Sequence, residues 1–131
     1  MRVRTQLAVI AVVAAGWAAG NVTVSEPAVA EMSRLARLND QELESLVARQ
    51  PDNVHAARAL SKRYLELREP RMVLDAVSRM SAGAQRDGWV ALHTARAREK
   101  LGEVQAAAAG ASGALNRCQG VPHELAEAHG C

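Results

Sequence analysis

The sequence predicts an all-α chain of short helix hairpins that repeat, preceded by a separate apolar helix at the N-terminus. Three observations predict it. Alanine fills 27 of 131 positions while there are two Trp, one Tyr and no Phe, which leaves a β-sandwich or barrel without its aromatic stock. Apolar residues between 39 and 117 recur at helical rather than alternating spacing. Shifting residues 54 to 84 by 34 positions lays Ala57 over Ala91, Leu67 over Leu101, Glu69 over Glu103, Val73 over Ala107 and Val77 over Ala111. Apolar residues make up 49%, charged residues 23%, and the net charge is +2. That is enough apolar surface to fold, and too little charge for a disordered chain or one that coats nucleic acid.

The N-terminal segment comes first. Arg2 and Arg4 precede 14 apolar residues from Leu7 to Gly20, and no charge returns before Glu26. A basic flank followed by an apolar run is a secretory leader or a membrane anchor. Ala28, Val29 and Ala30 offer a small-x-small cleavage site, with Ala18 and Gly20 as an earlier one. A retained segment over residues 5 to 24 would instead contact the membrane. A buried helix of a cytosolic domain would show polar positions at helical spacing, and none occur. Residues 1 to 30 are therefore read as signal peptide or anchor, and 31 to 131 as the helical domain with a C-terminal cap. Either reading places that domain outside the cytoplasm, periplasmic or secreted, or anchored in the inner membrane. No Cys lies near the end of the apolar run, which disfavours a lipid-modified protein. Gly16 and Gly20 form a GxxxG spacing suited to helix pairing; Asn21-Val22-Thr23 matches a glycosylation acceptor, but it would sit beside the membrane or be removed with the leader, and it carries no reading.

Asn39 and Asp40 then cap a helix through Leu43, Leu46 and Val47 to Gln50, with Glu42 and Glu44 near its positive end. The first complete hairpin places Ala57, Leu60, Ser61, Tyr64, Leu65 and Leu67 at helical spacing between Val54 and Arg68, and breaks at Glu69-Pro70. Its second helix runs from about Arg71 to Met80 on a Val73, Leu74, Val77, Met80 stripe. The second hairpin carries Trp89, Leu92, Ala95, Arg96 and Leu101, turns at Gly102, and continues from Glu103 to about Arg117. Gly110 and Gly113 weaken that last helix by about 1 kcal/mol each unless close packing uses their size.

Only two cysteines occur, Cys118 and Cys131. In an oxidising compartment a disulfide is the simplest reading; it would close a loop of about 14 residues worth roughly 3 kcal/mol. Pairing between chains stays open, and so does a Cys/His metal site of Cys118, His123, His129 and Cys131, although its spacing matches no familiar finger. His123 to Glu127, "HELAE", falls short of HExxH because Glu127 stands where the second His must be. "GASGA" around Ser112 fails the nucleophile elbow, since Ala114 replaces its second glycine. No catalytic residue, metal set or cofactor is assigned.

Over positions 52 to 118, with a half-unit before them, the chain resembles the tetratricopeptide repeat family, whose period matches the shift found above. The family's small crossing residue appears as Ser61 and Ala95, its aromatic one turn later as Tyr64, its turn as Gly102-Glu103 and its closing proline as Pro51. Arg98 replaces the second aromatic, Arg68 the first turn glycine, and Gln85 and Gln119 the later prolines. An unrelated bundle of two similar hairpins is the competing architecture. The resemblance implies a concave groove lined by the first helix of each hairpin, at His55, Arg58, Lys62, Leu65, Glu66, Trp89, Leu92, Arg96, Glu99 and Lys100.

Residues 58 to 100 carry ten basic and five acidic side chains, whereas 31 to 57 and 101 to 131 each balance to −2. Arg58, Lys62, Leu65, Trp89, Leu92, Arg96 and Lys100 are the candidate partner-binding residues. They suit an extended or C-terminal peptide with carboxylates, with Trp89 and Leu92 as apolar contacts. An ordinary solvated face is the plain alternative, as Glu66 and Glu99 offset part of the charge. The functional expectation is a non-catalytic adaptor or assembly factor binding another protein. A membrane-anchored structural subunit and a Cys/His metal-binding protein are the alternatives.

Overall fold

The computed structural model describes residues 26 to 126 and 130 to 131, and all regular structure among them is helical. The elements are α1 (Glu26–Arg37), α2 (Asp40–Arg49), α3 (Val54–Glu66), α4 (Pro70–Ser78), α5 (Ala82–Arg86), α6 (Gly88–Lys100), α7 (Val104–Cys118) and α8 (His123–Ala126). The apolar run from Leu7 to Gly20, and with it the membrane contact over residues 5 to 24, lies outside the described residues. Among those described, no helix is long and apolar enough to cross a membrane. Ala28, Val29 and Ala30 lie on α1. The chain divides into two units, Met1–Glu31 and Met32–Cys131; all that follows concerns the second.

Local chemistry sets the helix boundaries. Asn39 accepts from the Glu42 amide at 2.9 Å while Glu42 accepts from the Asn39 amide at 2.8 Å. This reciprocal capping box starts α2. Asn53 caps α3 through the Ala56 amide, Ser81 caps α5 through the Ala84 amide, and Asp87 caps α6 through the amides of Trp89 and Val90. Pro70 begins α4, where its missing N–H costs nothing.

The two hairpins α3–α4 and α6–α7 repeat in structure at the offset found in the sequence. Their first helices have the same length and begin at Val54 and Gly88; their second helices begin at Pro70 and Val104, the same distance apart along the chain. The turns between them match bond for bond. The Glu69 amide donates to Tyr64 and the Arg68 amide to Leu65; the Glu103 amide donates to Arg98 and the Gly102 amide to Glu99. Both are Schellman closures, which need a left-handed residue after the helix. Gly102 takes it at φ 82° and Arg68 at φ 60°. Arg68 bears the strain of a side chain in a conformation that glycine adopts freely.

Helix α6 packs on both α3 and α4, and α2 on α3. The core joins Leu43, Leu46 and Val47 of α2 to Leu60 and Tyr64 of α3, Val73 and Val77 of α4, and Val90 and Ala97 of α6. Leu35 on the C-terminal turn of α1 seals one side. Leu67, expected on the apolar stripe, is exposed, because it is the cap residue where α3 turns away. The Tyr64 hydroxyl donates to Glu44 of α2. Burial first, then that carboxylate, pushes its pKa well up. Arg98 occupies the equivalent place in the second hairpin, and its Nε is buried without a hydrogen-bond partner.

The expected helix from about Arg71 to Met80 runs over Pro70–Ser78, and Met80 is buried just beyond it. Three helices went unread in the sequence, α1 and the short α5 and α8. Cys118 and Cys131 are joined by a disulfide, with Cα atoms 5.6 Å apart. Any metal set built on these two thiolates would require that bond to be reduced first. His129 and Glu127 lie outside the described residues.

Candidate functional site

A groove of about 1060 Å³ runs along α3 and α6, walled on one side by Met32, Leu35 and Ala36. Its lining follows the repeat. His55, Ala59, Lys62, Leu65 and Glu66 of α3 each have a counterpart at the repeat offset on α6, namely Trp89, His93, Arg96, Glu99 and Lys100. Residues spaced by three or four share one helix face, so each helix presents one stripe to the same space.

The candidate residues fare differently within it. Lys62 lines the groove with its ammonium exposed, 3.6 Å from Glu66 one turn on, a surface pair of little strength. Leu65 is half-buried against the core and Trp89 is 46% exposed at the groove wall. Arg96 and Lys100 line the groove without an ion pair to any described residue.

Arg58 also lines it, but its guanidinium is turned to Asp87. Nε donates to Oδ1 at 3.0 Å and Nη2 to Oδ2 at 2.6 Å. Only 3% of the Asp87 side chain is exposed, and the same Oδ1 caps α6. A cation held in this two-point geometry is structural first. Leu92 is half-buried and absent from the lining. It is the counterpart of Arg58, but as an apolar residue it has no charge to offer a helix cap.

Sequence reasoning missed His93, which takes the place expected of Leu92. Its Nδ1 lies 2.8 Å from Ser61 Oγ, which is also 2.9 Å from the Ala57 carbonyl. Ser61 has one proton, and donating it within its own helix leaves Oγ to accept from an Nδ1–H. Nε2 is then the acceptor, on a side chain that lines the groove. Burial first, then the cations Arg96 and Lys62, lower the His93 pKa and favour this neutral form. The Trp89 and His93 rings are 6.4 Å apart and tilted. The available signal was the offset itself, because 93 is 59 plus 34.

Arg63 shows the same division of labour as Arg58. It pairs with Asp40 at 2.9 Å and donates to the Leu38 carbonyl at 3.3 Å, tying α3 to the start of α2. Arg58 and Arg63 are thus committed to the scaffold. Lys62, Arg96 and Lys100, with the apolar faces of Trp89 and Met32, remain for a ligand. Among the described residues no group of three or more His, Cys, Asp or Glu is placed to hold a metal ion. Compared with known protein families, curated proteins and solved structures, the chain matches none.

Proposed function

We propose that this chain is a short tetratricopeptide-like solenoid acting outside the cytoplasm as a non-catalytic adaptor or assembly factor. Its groove binds an extended or C-terminal segment of a partner protein that carries carboxylates. One observation carries the reading: pairs of positions related by the repeat offset line one groove and deliver Lys62, Arg96 and Lys100 to it beside an exposed Trp89. An extended chain suits a groove between two stripes, and cations held only weakly, as Lys62 is by Glu66, or without an ion pair to a described residue, as Arg96 and Lys100 are, suit its carboxylates. The Cys118–Cys131 disulfide supports an oxidising compartment.

A structural subunit of a larger complex is the second reading. Val104 and Leu115 on α7 are 65% and 67% exposed, on the helix against which a further hairpin would pack.

A fluorescein-labelled acidic peptide with a free C-terminus, titrated against the full chain, tests the adaptor reading. Saturable binding that weakens with salt and is lost in a Lys62→Glu, Arg96→Glu, Lys100→Glu variant supports it. Binding unchanged in that variant, or absent at millimolar peptide, overturns it.

A further inference from the structure

Gly130 sits against the first residues of α6, where the second hairpin begins. Gly130 is buried, at φ 71°, and packs against Asp87 and Gly88 so closely that a Cβ on Gly130 would strike the Asp87 carboxylate. A Cβ on Gly88 would in turn strike the Gly130 carbonyl, and would lie 3.5 Å from Cys118 Sγ. Two glycines therefore allow a contact that no other residue type permits at either position. What holds Gly130 there is its neighbour: Cys131 is bonded to Cys118 at the end of α7, and its amide donates to the Ala126 carbonyl at 2.7 Å.

Asp87 has three functions in this place. It caps α6, accepts both bonds from Arg58 of α3, and has Gly130 shielding it from water. Shielding matters because the attraction between two charges, and the hydrogen bonds between them, strengthen where water is excluded and weaken where water competes.

We propose that the Cys118–Cys131 disulfide is a thiol-releasable latch: it holds Gly130 over Asp87, and its reduction by a dithiol loosens the start of α6 and its tie to α3. Cys131 is exposed and Cys118 half-buried, so a dithiol's thiolate attacks Cys131 Sγ. The Cys118–Cys131 bond breaks with its electron pair on Cys118, and a mixed disulfide forms on Cys131. The dithiol's second thiolate then attacks its own sulfur in that mixed bond and displaces the Cys131 thiolate. The dithiol leaves as a disulfide, two electrons have passed to the chain, and the two cysteine thiolates take protons from solvent. Once the bond is broken, Gly130 no longer covers Asp87, water reaches the Arg58–Asp87 pair, and the groove wall formed by α6 loosens against α3. The latch stands independently of what the groove binds.

Amide hydrogen exchange on the full chain, with the disulfide intact and after reduction by dithiothreitol, tests it without any ligand. The expected result is retained helicity by circular dichroism, with exchange at the capped amides of Trp89 and Val90 faster by roughly fivefold or more. Exchange at Leu60 and Ser61 stays unchanged. Gly130→Ala, with the disulfide intact, is expected to reproduce the effect at Trp89 and Val90, since it displaces the residue without touching the cysteines. Unchanged exchange at Trp89 and Val90 after reduction overturns the proposal. So does a loss of helicity across the chain, which would make the disulfide a global staple rather than a local latch.

Discussion

Arg58 and Asp87 meet through two hydrogen bonds, 3.0 and 2.6 Å long, and in doing so join the first helix of one hairpin to the first turn of the next. The carboxylate that receives the arginine is also the cap of α6. One residue thereby fixes where α6 begins and how it lies on α3, and the two facing stripes of the groove depend on both.

Removing Arg58 leaves the buried Asp87 carboxylate without its cation, and removing Asp87 takes away the carboxylate that ties Arg58 to α6. Asp87→Ala also removes the cap, so it is expected to cost about 3 to 5 kcal/mol, and Arg58→Ala nearly as much. The double variant is expected to cost less than the two added together, because each single change already loses the pair. Urea denaturation of the four proteins measures this cycle, and simple additivity would show that the pair is not coupled.

Arg68 and Gly102 hold the same left-handed place in two equivalent turns, at φ 60° and 82°. Arg68→Gly is expected to stabilise the chain by about 0.5 to 1 kcal/mol, and Gly102→Ala to destabilise it by a similar amount. No atom lies within 4 Å of a Cβ placed on Gly102, so the second effect is backbone strain alone. Thermal unfolding of both variants separates them, and shifts of the same sign would contradict the account.

Arg98 replaces the aromatic expected from Tyr64, and its buried Nε finds no partner. Arg98→Met keeps the apolar stem and removes the orphaned donor. It is expected to be neutral or to stabilise by about 1 kcal/mol, since an unsatisfied buried polar group costs about 1 to 3 kcal/mol. A large loss in denaturant midpoint would mean that the guanidinium contributes to stability where it lies.

His93 makes stability depend on pH in one direction. Its pKa is lowered in the folded chain below the ordinary 6.5, through burial first. Between its folded value and 6.5 the unfolded chain binds more protons, so stability falls as pH drops below about 6.5 and is flat above. His93→Asn, which keeps an amide donor near Ser61, is expected to remove this component. Denaturation midpoints on either side of that value measure it, and an equal slope in the variant would assign it to other groups.

Much of this was legible from residue types. Asn39 with Glu42 announces α2, and Gly102 and Pro70 mark their turns, because caps and turns are local chemistry. The repeat was visible in Ala57 and Ala91 as much as in Leu67 and Leu101. Arg58 was legible as a groove position but not as half of an ion pair, since nothing local links it to a carboxylate on the next hairpin. His93 was missed because Leu92, the counterpart of Arg58, was taken for the groove; the other four α6 positions expected there do line it, and His93, the counterpart of Ala59, takes the place of Leu92. Helix α1 was missed because Ala28, Val29 and Ala30 were read as the end of a leader, although Ala28, Met32 and Leu35 recur at helical spacing.

The most direct test of the groove is a two-dimensional nitrogen–proton NMR titration of the full chain with an acidic peptide bearing a free C-terminus. The account expects saturable shifts at Lys62, the Trp89 indole, His93, Arg96 and Lys100, with the outer face of α4 unmoved. Shifts centred on α4 or α7, with those groove residues silent, would contradict it.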